Sequence, residues 1–553
     1  MIRKFFNNSF FLKSQPSRSV AAAAFVITLA GLASRLLGLL RDRFLASTFG
    51  AGDTLDVYYA AFRIPDLIYN LLILGALSAA FIPVFTSLVS KDEESSAWQL
   101  ASEIMNLAII FIICLSIILA FFAPYIMRVL TPGFTEDKMQ SVVSFTRIMF
   151  LSPLFLGISG IFGGILTSFK RFLVYSIAPL FYNLGIIVGV LFLVKIDFIG
   201  PIGLAWGVVL GAFLHMLIQY PAARSLGFNF SLTFFRGFKN NNVKRILVLM
   251  VPRMLGIAVN QVNLLIITIF ASLLASGSLA IFNFAQNLQG VPVGIFGSSF
   301  AIAVFPILSS LAAKDNRTEF VRYFSETFRQ ILFFAIPISV FILVLRAQIV
   351  RVVLGTGEFD WNDTILTYQC LGIFVLSLFA QSLIPLLART FFALHNTKTP
   401  FYIALVSETI NILIVLLLLE RFKLLGLAIA FSFSSVVQMF LLLFFLRSKF
   451  KNLDDRGIII FLAKIATASL ISGVAIQLAK YAVAFNTPTN FLDTFVGIFT
   501  QLMVASFVGL AVFIFSCYLL KIKEFFKFKH SLSRKLFGYR KIITEDTSDV
   551  SGI

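Results

Sequence analysis

Four clusters of polar residues interrupt otherwise apolar sequence. The first is Arg35, Arg41, Asp42 and Arg43. Arg35, Gly38 and Asp42 fall at i, i+3, i+7 and share one helix face. The second, Asp56, Tyr59, Arg63, Asp66 and Asn70, has nearly the same spacing. The third is Arg253, Gly256, Asn260 and Asn263. The fourth is a stripe of small and amide residues: Asn283, Gln286, Asn287, Gly290, Gly294 and Gly297. A charge at mid-membrane costs about 2.5–3.5 kcal/mol on insertion scales, so these residues are the functional candidates. Three arginines surround the single Asp42, and that surplus of positive charge calls for an anion. Phosphate suits it, because a guanidinium fork can donate two parallel hydrogen bonds. A structural alternative stands beside this reading. Arg35 could pair with Asp42, and Arg63 with Asp56 or Asp66, while the Gly and Asn stripe packs helices.

Other polar residues in apolar runs are Glu103, Arg147, Arg389, Glu408 and Lys464. Arg147 and Arg389 are placed to reach the interface from helix ends. Glu408 lies deeper and is the one candidate for a proton or cation site. Cys114, Cys370 and Cys517 sit in apolar runs without CxxC spacing, and the three histidines are scattered, so no metal site is expected. The chain has no GxxxxGK[ST], GxSxG or HExxH pattern, which argues against an enzyme. No cofactor is expected. Coupling to a monovalent cation or proton stays open.

These residues must be positioned by membrane-spanning helices. The chain has 553 residues, of which 59% are hydrophobic and only 13% charged. Its mean hydropathy is +0.94. That composition excludes a disordered chain and a soluble multidomain enzyme. The net charge of +19 reads as basic cytoplasmic loops rather than nucleic-acid binding. The fold class expected is an all-α polytopic membrane protein of about fourteen spans. They fall near 20–48, 54–88, 97–129, 138–167, 172–194, 200–222, 245–273, 279–311, 320–346, 363–394, 400–420, 424–446, 458–483 and 494–520. The run from Val20 resembles a signal-peptide core, with small residues near Ala33 and Ser34. It is too long for one, and no cleavage is expected. With both termini in the cytoplasm, the outer loops hold only Lys138, Lys195, Arg346, Arg351, Arg421, Lys423 and Lys480. The far more basic inner segments then satisfy the positive-inside rule.

Three ordered matches reveal an internal repeat. Pro83–Asp92 resembles Pro306–Asp315, Arg35–Gly38 resembles Arg253–Gly256, and the stretch from Lys170 to Asn183 resembles Lys398 to Asn411. Two parallel six-helix lobes follow, an architecture known among transporters. The expected organisation is a basic N-terminus (1–19), an N-lobe (20–223), a basic linker (224–244), a C-lobe (245–447), two additional helices (448–521) and a basic tail (522–553). Basic and aromatic residues alternate along that tail, as in helices that lie on anionic lipid. Spans 1, 2, 7 and 8 are equivalent pairs and would meet around one hydrated, cationic cavity.

Specific residues carry a family resemblance. Ser34-Arg-Leu-Leu-Gly-Leu-Leu-Arg-Asp42, Phe49-Gly-Ala-Gly52, Ala61-Phe-Arg-Ile-Pro65, Gly75–Pro83, Pro132-Gly-Phe134 and Lys398-Thr-Pro400 resemble the MurJ (MviN) family of the MOP exporter superfamily. Its members flip lipid II, the undecaprenyl-pyrophosphate-linked peptidoglycan precursor, across the bacterial cytoplasmic membrane. The resemblance implies two six-helix lobes, two further helices forming a lipid-side groove, and a role beside the peptidoglycan synthesis machinery. It maps the family's pyrophosphate-binding arginines onto Arg35, Arg41 and Arg63, and its aspartates onto Asp42 and Asp56. Asp66, Asn260, Asn263, Asn283, Gln286 and Asn287 would support the cavity. The sequence departs from the family at Tyr69 and Asn70, which replace an arginine pair. It departs again at Leu74, where an acid is usual, and at Asn287 and Gly290, which replace an arginine and a glutamate. Arg253 is the candidate replacement for a lost cation.

The expected function is outward movement of lipid II by alternating access. Its partners are the lipid-linked glycan and membrane lipids, without nucleic acid. The alternatives are a flippase for another polyprenyl-linked oligosaccharide, a non-transporting membrane scaffold, and a cation-coupled drug exporter. The last should place carboxylates rather than arginines at the centre.

Overall fold

The computed structural model describes residues 20–72, 78–232, 237 and 240–537, and most of the side chains within them. The expected all-α architecture is present, with no strand among the described residues. Nine of the described helices are long and apolar enough to cross a bilayer, and one bent pair makes ten. Among the described residues this count is consistent with the fourteen crossings expected from the sequence.

The chain forms two compact units. Unit 1 comprises Met1–Asn287, Val353–Thr367 and Ile412–Leu427. It contains α1 (Val20–Phe49), α2 (Asp53–Ile68), α3 (Ser78–Val89), α4 (Glu94–Leu130), α5 (Glu136–Met149), α6 (Leu151–Ser168), α7 (Phe172–Leu191), α8 (Gly203–Ser225), α9 (Asn241–Ser272) and most of α10 (Ser278–Pro292). Unit 2 comprises Leu288–Val352, Tyr368–Asn411 and Ala428–Ile553. It contains α11 (Ser299–Ala313), α12 (Arg317–Val353) apart from its last residue, most of α13 (Trp361–Leu376), α14 (Leu378–Ala393), α16 (Asp455–Asn486), α17 (Phe495–Leu519) and α18 (Lys523–Phe537). Helix α15 (Lys398–Phe450) has segments in both.

The breaks have physical causes. The spans expected at 400–420 and 424–446 are the two helical arms of α15, which meet at Lys423 where the backbone leaves helical geometry (φ 48°, ψ −124°). In the span expected over 54–88, residues 69–72, shortly after Pro65, take π geometry, and the described chain resumes with α3. A second π segment, Val293–Ser298, follows Pro292 in the corresponding helix of the other half. Proline removes a helical donor and crowds the preceding turn, so the ladder is relaid locally. The repeat extends to the ends of the helices that follow. Asp92 and Asp315, which are equivalent by sequence, both have left-handed backbones (φ 58° and 48°).

Packing within unit 1 relies on two features. Trp98 stacks on Phe169 with centroids 5.6 Å apart, and buried Phe81, Phe85 and Phe228 surround them. Small residues do the rest, because lipid is as apolar as a leucine side chain and gives helices little hydrophobic reason to associate. Helices α7 and α8 therefore meet backbone to backbone along Gly185, Gly189, Gly207 and Gly211. A Cβ on Gly189 would come within 2.6 Å of the Gly207 Cα, and one on Gly185 would overlap the Gly211 backbone.

Unit 2 has an aromatic core around Phe320, Phe324, Phe328 and Phe513. One end is tied together by Arg329, which pairs with Asp454 and, at 2.9 Å, with Glu524 of α18. Burial alone would raise the Asp454 carboxyl, but hydrogen bonds from Arg329 and Ser325 and the Arg329 charge outweigh it and hold the group below its ordinary range. The tie is therefore complete at neutral pH and is lost as pH falls through that lowered value.

Gly185→Val should force α7 and α8 apart and destabilise the protein by about 1–3 kcal/mol or more. Thermal unfolding in detergent measures this. An unchanged midpoint would show that the glycine seam does not hold the pair.

Candidate functional site

The charged residues of α1 and α2 are gathered in unit 1. Arg41 and Asp42 are neighbours on α1 and make a two-pronged pair. Arg41 donates to Asp42 Oδ1 through Nε at 3.1 Å and Nη2 at 2.7 Å. Its Nη1 donates to Asn183 Oδ1 on α7 at 3.1 Å. The other Asp42 oxygen accepts from Asn287 Nδ2 on α10 at 2.9 Å. Asp42 is 2% exposed, so these donors take the place of water around its carboxyl oxygens. Asn183 is oriented by its own bond to the Pro179 carbonyl (3.1 Å).

Arg63 lies on the buried face of α2 and is 8% exposed. Its Nε donates to Thr268 Oγ1 on α9 at 2.8 Å, and its Nη2 to Asn283 Oδ1 on α10 at 3.0 Å. Both partners are neutral. Each is fixed to its own helix, Thr268 on the Leu264 carbonyl and Asn283 on the Leu279 carbonyl. Asp66 lies within electrostatic reach of Arg63 and Arg41. The ring of Tyr59 packs edge-on against Phe284, and its buried hydroxyl has no hydrogen-bond partner. Guanidiniums, two carboxyl groups, amides and hydroxyls thus converge from five helices.

Asp56 is taken up differently. Its Oδ2 accepts from the Gly277 amide at 2.8 Å and its Oδ1 from the Ala280 amide at 3.0 Å. These amides open α10, so a carboxylate from α2 caps α10 and complements its dipole. Lys138 of α5 reaches the same carboxylate at 3.4 Å and Asp53 at 2.7 Å, while Ser276 donates to Asp53. The approach requires Gly277. Its φ is +83°, and a Cβ there would overlap the carbonyl oxygen of Ala51.

The other sequence candidates are placed as follows. Arg35 is half-buried on α1, Asn263 is buried on α9, and Gln286 is half-buried on α10. Asn70 lies in the π segment after α2 and donates to the Asp66 carbonyl at 2.9 Å. Arg253 and Asn260 belong to α9, but their side chains lie outside the described residues, as does Leu74. Glu103 is buried away from the arginines and accepts from Gln99 (2.8 Å) and Asn240 (2.7 Å). Arg147 and Lys464 donate to the backbone carbonyls of Ala120 and Leu520. Sequence reasoning did not single out Thr268, Asn183 or Lys138 as site residues. Thr268 lies in an apolar run. Asn183 entered only as the end of a repeat match, and Lys138 only as an outer-loop charge. In this geometry Arg63 is buried and hydrogen-bonded to neutral oxygens, with the Asp66 carboxyl as its charged neighbour.

Comparisons with known proteins bear on this geometry. The family model "Lipid II flippase MurJ" matches residues 45–496. A probable lipid II flippase MurJ of Buchnera aphidicola subsp. Acyrthosiphon pisum (strain APS) is 30% identical over 420 residues, covering 75% of this chain and 81% of the relative. The probable lipid II flippase MurJ of Rickettsia prowazekii (strain Madrid E) is 26% identical over 497 residues, covering 89% and 96%. A solved structure of lipid II flippase MurJ in an inward closed conformation superposes with TM-score 0.73 at 24% identity, covering 90% of this chain and 99% of that one. An inward-facing MATE family multidrug transporter of the MOP superfamily gives TM-score 0.65 at 14% identity, covering 76% and 95%. These structural likenesses establish the shared fold.

Asp56→Ala should leave the first amides of α10 without their cap and lower stability by about 1–2 kcal/mol, whereas Asp56→Asn, which keeps an oxygen acceptor, should lose less. Unfolding midpoints of the purified variants check the order. Equal midpoints for wild type and Asp56→Ala would remove the clamp.

Proposed function

Because this chain belongs to the lipid II flippase MurJ family, we propose that it carries lipid II across the bilayer and that Arg41 and Arg63 are the groups that hold its pyrophosphate. The observation that carries the assignment is Arg63, a buried cation whose hydrogen bonds go to the neutral oxygens of Thr268 and Asn283. A buried charge is costly until it is paired, so an entering pyrophosphate adds a strong partner to the nearby Asp66 and displaces two neutral ones. Arg41 presents its fork from α1, oriented by Asp42 and Asn183. Arg35 on the same helix extends the cationic surface. Arg253 stays the sequence candidate for the cation missing where Tyr69 and Asn287 stand in place of arginines. Asp42, shared between Arg41 and Asn287, draws Arg41 back when the anion leaves and so resets the cavity.

The reading is that transport proceeds by alternating access, with the polyprenyl chain remaining in the membrane. The exposed apolar residues of α16 and α17, such as Leu470, Phe507 and Leu510, offer it a surface. The distribution of basic residues supports cytoplasmic termini and loading from the inner leaflet. On that orientation a negative-inside potential favours outward movement of an anion by about 2.3 kcal/mol per charge per 100 mV. Drive can then come from the potential without nucleotide hydrolysis.

Complementation of a bacterium depleted of its lipid II flippase tests the assignment, with outward accessibility of lipid II as the readout. The wild-type chain should rescue. Arg41→Ala and Arg63→Ala should each cut flipping about tenfold or more, the effect of one lost charge-assisted hydrogen bond, while remaining inserted and folded. Normal flipping by either variant would refute its role. Failure of the wild type to rescue, together with transport of a different polyprenyl-pyrophosphate glycan in vesicles, would move the substrate to that glycan.

A further inference from the structure

Unit 2 contains a second cationic pocket that the flippase reading does not use. It is a cavity of ≈ 480 Å³, lined by Arg346 and Val344 of α12, Tyr368 of α13, and Gln477 and Lys480 of α16. That volume lies within the range of small-molecule sites. Arg346 lies over the Tyr368 ring, 5.7 Å from its centroid, and donates to the Leu343 carbonyl at 2.6 Å. Lys480 donates across to the Val344 carbonyl at 2.9 Å. The two cations are close enough to interact electrostatically, and no carboxylate is among the lining residues.

Long basic side chains near helix ends commonly reach outward to water. These two do not follow that pattern. Lys480 is tied to the neighbouring helix, and Arg346 packs closely over Gly372. A Cβ on Gly372 would come within 3.1 Å of the Arg346 Cδ. Two like charges held together without a carboxylate lack only an anion. Gln477 adds an amide donor, and Tyr368 a hydroxyl.

The surroundings indicate how that anion arrives. Val474, Leu478 and Tyr481, beside Gln477 and Lys480 on α16, are 61%, 63% and 64% exposed. In a membrane such residues face acyl chains. Helix α12 has 37 residues, about 55 Å at 1.5 Å per residue, against a hydrocarbon core of about 30 Å. Arg346 is seven residues from its end, about 10 Å, which is the depth of the headgroup boundary.

We infer that this pocket binds the phosphate group of a membrane lipid, with Arg346 and Lys480 as its charged contacts and Gln477 and Tyr368 as neutral ones. The lipid's acyl chains lie along the exposed apolar face of α16. Such a lipid buttresses α12, α13 and α16 at one end of unit 2, whatever the transported substrate is.

Native mass spectrometry of the full chain in detergent tests this, with phosphatidylglycerol, diacylglycerol and inorganic phosphate as probes. The wild type should retain phosphatidylglycerol but not diacylglycerol, and millimolar inorganic phosphate should not displace it. Arg346→Gln combined with Lys480→Gln should weaken retention about tenfold or more, as expected for lost charge-assisted hydrogen bonds. Gly372→Ala, which crowds Arg346 without removing charge, should weaken it less. Lys480→Arg should preserve it and supplies a folded control. Equal retention by wild type and the double variant would overturn the site. So would retention of diacylglycerol as strong as that of phosphatidylglycerol, or a wild type that retains neither phosphatidylglycerol nor phosphate. Full displacement by inorganic phosphate would reassign the ligand to the free ion and overturn the lipid.

Discussion

A guanidinium inside a membrane protein must be solvated by the protein itself. That constraint organises unit 1. Arg63 is drawn into the interior by α2, and α9 and α10 each supply one neutral oxygen to receive it. Those oxygens are useful only where their helices hold them. Thr268 and Asn283 are each bonded to a carbonyl one turn back, which fixes their side chains before Arg63 arrives. The arrangement stabilises the cation enough to fold and leaves it able to gain from a stronger partner.

The two deeply buried aspartates divide the remaining work. Asp42 serves Arg41, sharing its second oxygen with Asn287 of α10. Asp56 serves the backbone, closing the first turn of α10 from α2 with Lys138 behind it. Helix α10 is therefore held at its first turn by Asp56 and further along by Asp42, and it bonds Arg63 between them. On the proposed function, an anion that captures Arg63 competes for the bonds that join α2 to α9 and α10, and one that captures Arg41 for the bond that joins α1 to α7. Substrate binding and helix association would then draw on the same groups, which is the coupling that a population shift between conformations requires. The π segments after Pro65 and at Val293–Ser298 lie at equivalent places in the two halves. There the helical ladder is already relaid, and bending is less costly.

Much of this was legible from residue types and spacing. Apolar runs of span length fixed the helices, and charges inside them marked α1 and α2. The equivalence of Asp92 and Asp315 followed from a ten-residue match and reappears in their backbone angles. What remained hidden was non-local. No spacing rule relates Asp56 to Gly277 or Arg63 to Thr268, because those pairs are separated by more than 200 residues. Asp56 reads as a partner for arginine until the opening amides of α10 are seen beside it. Thr268 carries no charge and no periodicity to distinguish it from its apolar neighbours. The kink at Lys423 was hidden for a different reason. A loop was expected between two spans, and the chain instead turns through one non-helical residue.

The central claim is that Arg41 and Arg63 recognise the pyrophosphate rather than the sugar or the polyprenyl chain. The most direct measurement is equilibrium binding to the purified protein of three lipids: lipid II, undecaprenyl pyrophosphate without the glycan, and undecaprenol. The account predicts that the two pyrophosphates bind and undecaprenol does not. Combined substitution Arg41→Gln and Arg63→Gln should weaken both pyrophosphates by about a hundredfold, at roughly tenfold per charged contact. Binding of undecaprenol as tight as that of its pyrophosphate, or an unchanged affinity in the double variant, would contradict it.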